Sequence, residues 1–534
     1  MPGGKIPSLI SLLLLIAVEM YSQNIIEVGG IIYYDTVWEA DTVKLIDDVY
    51  IADGIALLVK EGVYVQAQDY YGIYVTGKIQ AFGTSDAPVV FSALDTLAVH
   101  QDTLSPNNRG WAGIHLNGVI SSPDTSYFIH SRLEYSRRID TLEGSIMGGA
   151  ISVKNYHTLI LENAVIRRNL IYNHHDNGVT HGAGIYAANT YNVIIQGCDF
   201  IENRSSYYGG GVAIGAYCDH VRILNNRFLA NQAIKYIFYP PWLLVTGAGG
   251  AIHCSDAHNF SPEIGHNHCY NNKGISGIIY TSNLSALIYN NVVCNNLGPG
   301  LFDGHQLSTS RMFNNTIANN RSFHGGIYVN SKAYIYNNII WNNRAESGAL
   351  NPQIYISSGN PTVSYNCVHY GDGGEGAIYD NPEFIHPTTT VGLVADIMAK
   401  WSLKGDSPCI NAGTPDTTGL FIPEYDINGD CRIAGTTIDI GAYEYQNVVG
   451  HEEMAYSTSL TIFPNPGKNY FEFKGDDDLY HIEVYDSKGR LVLRHHSVSS
   501  GRQIHSGHLA PGLYSIKLIN TNSQQIYRKK WIIR

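Results

Sequence analysis

The sequence predicts an all-β protein in two parts, a parallel β-helix solenoid followed by a small antiparallel β-sandwich. Three observations carry this expectation. A short Asn-bracketed motif, seen as "NNTIANN" at 314–320, recurs along most of the chain with an apolar residue at a fixed place. Between the recurrences lie runs such as "IYV", "AYIY" and "NIIW", too brief and too β-branched for helices, separated by polar turns. After residue 446 this pattern stops and longer alternating strands begin.

Aligned by eye, the recurrences are "ENAVIRRN", "GCDFIEN", "NNRFLAN", "HNHCYNN", "NNVVCNN", "NNTIANN" and "NNIIWNN". One column is Asn169, Asn203, Asn231, Asn272, Asn296, Asn320 and Asn343, and three residues before each stands Ile166, Phe200, Phe228, Cys269, Val293, Ile317 or Ile340. A glycine-marked strand follows each of the first six, as in "GIYAA", "GGAIHC" and "GGIYV". One repeat cannot bury its apolar column alone, but repeats stacked at the parallel-strand spacing of about 4.8 Å make a continuous core. The asparagines are then expected to form a ladder at one corner, each amide bonding its neighbours and the turn backbone and tolerating left-handed dihedrals. Glycine marks a second tight corner.

Composition agrees with this. A chain of 534 residues exceeds one ordinary globular core, so several domains or one axial repeat are needed. Charged residues are only 15%, glycines number 54 and Tyr (38) far outnumbers Phe (15), which favours β-structure with polar aromatic surfaces. The net charge of -12, with no basic aromatic-interleaved face, argues against a nucleic-acid partner.

The coils resemble the right-handed parallel β-helix proteins of the pectin-lyase-like superfamily. Residues 407–446, "SPCINAGTPD…DINGDCRIAGTTIDIGAYEYQ", are similar to the closing segment of bacterial surface β-helix proteins of the choice-of-anchor type, and 52–91 with 110–116 resemble their opening coils. The resemblance implies the fold and leaves activity open, because the superfamily holds lyases, hydrolases, epimerases, adhesins and proteins of no known activity. The last part, with "FPNP" (463–466), "VYDSKGR" (484–490), "LAPGLYSIKL" (509–518) and a basic tail, is similar to the C-terminal sorting domain of the bacterial type IX secretion system. That resemblance implies export, with the secretion machinery as a partner.

The expected domains are a signal peptide (1–22), opening coils (23–140), regular coils (141–400), a closing segment (401–446), a linker (447–458) and the sorting domain (459–534). The signal peptide rests on Lys5, the apolar run Ile6 to Val18 and small or polar residues near Ser22. No later run has the length of a membrane span, so the mature chain is expected to be soluble, and it is expected to be a monomer. Of eight cysteines, Cys198, Cys269 and Cys294 lie in strand-like runs as small apolar residues, and Cys409 and Cys431 are the best disulfide candidates.

Spacings along the Asn column are 34, 28, 41, 24, 24 and 23 residues, so the first three coils are swollen. The extra residues all fall between the Asn and the next strand glycine, and the three loops are expected to project side by side. They carry His174, His175, Asp176, His181, Tyr207, Tyr208, Tyr236, Tyr239 and Trp242. Long loops on a rigid scaffold tend to hold binding function, and aromatic faces beside polar groups suit sugar rings. Polysaccharide or another extracellular surface is therefore the expected partner, with a passive adhesin or structural surface protein and a polysaccharide lyase or glycoside hydrolase acting on an acidic polysaccharide as alternatives. Catalysis is not favoured. Asp176, Asp199, Glu202, Arg167, Arg168 and Arg204 make no recognisable carboxylate pair, and the hydrolase motifs of the superfamily are missing. No cofactor or metal is expected, although a lyase of this superfamily would need calcium. His174, His175 and His181 lack a supporting second cluster, and "DINGD" (426–430) has Gly429 in the wrong place for a calcium loop.

Overall fold

The computed structural model describes residues 24–97, 109–141, 144–239, 242–255, 261–346, 353–394, 396, 398–418, 420–446, 461–465, 467, 470–475, 478–486, 491–506, 509–510, 512–521 and 526–533. The expected signal peptide and linker lie outside these residues. The chain divides into two compact units, 1–447 and 448–534.

In the first unit each coil contributes three strands, and equivalent strands of successive coils pair in parallel. Face A runs from residues 30–32 to Ile354–Ser358, face B from Thr36–Trp38 to Thr362–Ser364, and face C from residues 25–28 to Cys367–Val368. A fourth, shorter ladder lies between faces C and A, from Arg137–Asp140 to Lys273–Gly274. The column Ile166, Phe200, Phe228, Cys269, Val293, Ile317 and Ile340 is wholly buried inside the coils, with Phe200 and Phe228 stacked at 4.8 Å.

The Asn ladder forms at the corner after face C. Asn169 Nδ2 donates to Asn203 Oδ1 at 2.9 Å, and the chain of amides continues through Asn231, Asn272, Asn296 and Asn320 to Asn343, which donates to Gln353. A second ladder, not apparent in the aligned column, occupies the corner before face C. It runs through Asn226, Asn267, Asn291, Asn315, Asn338 and Asn366. Ser131, Ala164 and Cys198 hold its place in the upstream coils, which hides it from an alignment anchored there.

The left-handed backbone falls one residue before the position expected. Asn271, Asn295, Asn319 and Asn342 have positive φ, as do Arg168, Glu202 and Ala230, whereas the ladder asparagines do not. An αL residue turns its own side chain outward and delivers the next one into the corner. In "NNTIANN" the two ladder amides, Asn315 and Asn320, therefore point in, while Asn314 and Asn319 point out.

What the outward amides meet is the closing segment. Past the last rung the chain leaves the solenoid, pairs Phe384–His386 with Lys400–Leu403 antiparallel, and folds back over the outside of face C. Asn290 Nδ2 donates to the Tyr425 carbonyl (2.9 Å), Asn314 to that of Asp439 (3.0 Å), and Asn319 to that of Thr388 (2.7 Å). Beneath this arm the outward residues of face C, Val292, Cys294, Ala318 and Ile339, pack against Phe384, Trp401, Leu403, Ile440 and Ala442. The same positions upstream lie outside the arm and include ion pairs, Arg167 on Glu134 (2.6 Å) and Arg227 on Asp199 (2.7 Å).

Cys409 and Cys431 do not pair. Both are thiols. Cys409 is buried with Cys367 in the apolar layer under the arm, while Cys431 is exposed. In "DINGD" the Asp426 carboxylate accepts backbone N–H bonds from Asn428, Asp430 and Glu444, so its oxygens build the arm's own turn.

The second unit packs a sheet of Thr461–Phe463, Tyr470–Lys474 and Ile504–His505 on one ordered Leu491–Ser499, Leu479–Tyr485, Gly512–Asn520, Ile526–Ile533. Phe471, Phe473, Ile482, Val484, Ile516, Leu518 and Trp531 form its core. Pro464 and Asn465 hold the last strand, with Trp531 Nε1 donating to the Pro464 carbonyl (3.0 Å) and Ile532 N–H to Asn465 Oδ1 (3.0 Å).

Candidate functional site

Parallel in-register pairing places one outward position of each coil above the next at about 4.8 Å, a separation at which planar rings stack. On face A that position reads Tyr50, Tyr74, His115, Ser152, Tyr186, Ala213, His253, Tyr280, Phe302, Tyr328, Tyr355. Tyr50, Tyr74 and His115 stack at 5.1 and 4.9 Å. His253, Tyr280, Phe302 and Tyr328 stack at 4.9, 4.6 and 4.3 Å, with interplanar angles of 6°, 16° and 1°. His324, from the loop that precedes Tyr328, rests 4.9 Å from that ring and 4.7 Å from Tyr355.

Two coils lack a ring in this column. At Ala213 the gap is filled from a swollen loop, because Tyr208 lies 4.3 Å from His253 and 5.1 Å from His181, which itself sits 5.6 Å from Tyr186. At Ser152 no loop supplies a ring among the described residues. There a cavity of about 350 Å³ opens beside the column, lined by Tyr74, His115, Arg138, Met147, Ser152 and Lys154.

The three swollen loops do leave side by side. His181 bridges to Tyr208 and Tyr208 to Ala248 in parallel, one residue from each loop. Lys235 ties the third loop to the first, its ammonium donating to the carbonyls of His175, Asp176 (3.2 Å) and Gly178 (3.0 Å). Of the expected binding residues, His181, Tyr207 and Tyr208 reach the ring column, Tyr207 through an edge contact with Tyr208 at 4.4 Å. His174 turns to Tyr172 instead (4.8 Å), His175 Nδ1 accepts the Asn177 N–H within its own turn, and Asp176 is exposed. Tyr236, 62% exposed, stands on the hairpin Lys235–Tyr239 and Trp242–Thr246. Tyr239 and Trp242 belong to those strands, but their side chains lie outside the described residues.

Alternation in "GIYV", "GAIHC", "GIIY", "GLF" and "GGIYV" holds the column in the letters after each glycine, yet only the loops had stood out by length. The ring faces are also not free as expected. Inside a stack each face covers its neighbour, so the column presents ring edges and tyrosine hydroxyls, and open faces remain only at its breaks and ends.

Arg138 and Lys154 give the cavity its electrostatics. Arg138 Nη1 donates to the carbonyls of Met147 (2.6 Å) and Gly148 (3.1 Å), and Lys154 Nζ stands 6.0 Å over the Tyr186 ring. Neither makes a salt bridge among the described residues. Burial, and then Arg138, holds His115 down to about 4, so this imidazole is neutral at pH 7 and its Nε2 donates to the Ala112 carbonyl (3.0 Å). Burial and Arg138 likewise lower Lys154.

Residues 112–293 match the family model of the right handed beta helix region, and residues 461–534 match that of the secretion system C-terminal sorting domain. This chain is a right-handed β-helix protein with a type IX secretion sorting domain. A search of curated proteins gave no match. The sorting domain marks the β-helix protein for export to the cell surface or extracellular space. No helix among its described residues is long and apolar enough to cross a membrane.

Proposed function

We propose that the exported β-helix protein binds an extended polysaccharide along face A, between the ring column and the loops that rise beside it, and that its sorting domain engages the secretion machinery on the way out. The observation that supports this reading is the column itself. A repetitive ligand calls for a repetitive surface, and from His253 to Tyr355 each coil presents one tyrosine hydroxyl or ring edge at the strand spacing. Hydroxyl groups on a glycan then meet Tyr280, Tyr328 and Tyr355, while its C–H faces meet the edges and the column ends. The downstream part of face C cannot serve in this way, since the closing arm covers it.

A glycan array probed with the full chain tests the reading. Binding to at least one oligosaccharide, weakened about 10-fold by Phe302→Ala, is expected, a loss of about 1.4 kcal/mol. Binding that ignores this substitution would remove face A from consideration. Release of reducing ends or unsaturated uronates from a bound polysaccharide would replace passive binding with the hydrolase or lyase reading.

A further inference from the structure

The ring column on face A is interrupted at Ser152, and the interruption is cationic in a chain whose net charge is -12. Resting on the glycan-binding reading, we propose that this gap is a subsite for an acidic sugar residue, whose ring seats against His115 and whose carboxylate or sulfate meets Arg138 and Lys154.

Geometry argues for it first. The cavity, about 350 Å³, falls within the roughly 300–1,000 Å³ typical of small-ligand pockets. The gap is not a steric necessity of the coil. Gly148 packs its backbone against Ser152 just as Gly182 lies against Tyr186 and Gly249 against His253, so the same corner carries a ring in two nearby coils. Ser152 thus leaves open a place where the fold accepts an aromatic side chain.

Charge argues for it second. Arg138 is held by two carbonyls and by the Tyr70 hydroxyl, all neutral partners, with no carboxylate paired to it among the described residues, and Lys154 stands near enough for the two cations to disfavour each other. The carboxylate that acts on neighbouring Tyr74, Asp48, has its oxygens engaged by the Gly72 N–H (2.9 Å) and the Tyr50 hydroxyl (3.4 Å). His115 is neutral and adds a ring face without adding charge. An anion entering the cavity relieves the repulsion between the cations and forms charge-assisted hydrogen bonds to both. A neutral sugar does neither.

Isothermal titration of the full chain with trigalacturonate, with a chondroitin sulfate tetrasaccharide and with cellotriose tests this, the first two separating carboxylate from sulfate. At least one acidic probe is expected to bind. Lys154→Met should weaken it at least 10-fold, and Ser152→Tyr, which fills the gap as Tyr186 fills its own coil, should abolish it without lowering the melting temperature. Acidic probes bound equally well by both variants would overturn the subsite. Cellotriose bound as tightly as the acidic probes, with Phe302→Ala weakening it and Lys154→Met leaving it unchanged, would overturn the acidic preference while glycan binding stands. No binding of any probe would overturn both.

Discussion

Asn314 Nδ2 donates to the carbonyl of Asp439 at 3.0 Å, joining an outward corner of the solenoid to a segment 125 residues further along the chain. Its sequence neighbour Asn315 points the opposite way, into the core ladder. One αL turn thus lets a pair of identical side chains serve two structures at once, the coil and the arm that covers it.

Asn314→Ala should release the arm locally. Its hydrogen bonds to two buried carbonyls, those of Asp439 and Gly441, are lost, so the expected cost is about 2 kcal/mol. Limited proteolysis of the full chain should then cut faster within 400–440. Unchanged cleavage there would mean that the apolar layer around Trp401 and Ile440 holds the arm without the amides.

Asn320→Ala should be more damaging than Asn314→Ala, although the residue removed is the same. Asn320 is fully buried, donates to Val293 and Asn343, and accepts from Asn296. Interrupting the ladder leaves buried partners unmatched above and below, on the order of 3 kcal/mol. Thermal unfolding of the two variants side by side gives the order, and a smaller loss for Asn320→Ala would contradict the ladder's role.

Acid should destabilise the solenoid well before its surface carboxylates titrate. His115 and His268 are both held down to about 4, chiefly by burial, so the unfolded chain binds protons that the folded one refuses. Their contribution is complete above pH 6.5 and is lost as pH falls from 6.5 toward 4, at most about 3 kcal/mol each. Glu444, pushed up to about 7 mainly by burial in the arm, works with the opposite sign and loses its contribution as pH rises from 4.5 to 7. The two histidines outweigh it, so denaturant midpoints should fall on acidification, and His268→Phe should flatten that fall.

Native alkylation should mark a single cysteine. Cys431 is exposed, whereas the other seven are buried, with burial pushing the Cys198 and Cys218 thiols up to about 12. Iodoacetamide followed by mass spectrometry is expected to give one adduct, at Cys431. A second adduct at Cys409 would show that the arm opens in solution.

Lys235→Met should loosen the swollen loops from one another. The ammonium holds three carbonyls of the first loop, and losing these bonds is expected to cost about 2 kcal/mol. Hydrogen exchange of 175–179 should rise more than that of face A; protection that stays the same would deny the link.

The letters of the chain were enough to determine the coil, because stacking is a local periodic rule. Each repeat carries its buried Ile, Val or Phe and its corner Asn at fixed offsets, and parallel pairing turns equal offsets into columns. The same rule placed the three swollen loops on one side. What the tertiary structure alone decided is which outward residues stay outward. "VVC" and "IIW" have apolar residues on both sides of the strand because an arm from beyond the solenoid covers them, and the partner of an outward Asn lies far away in the sequence. The ring column and its gap at Ser152 likewise depend on register between coils of unequal length, so that His115, Ser152 and Tyr186, scattered along the chain, become consecutive in space.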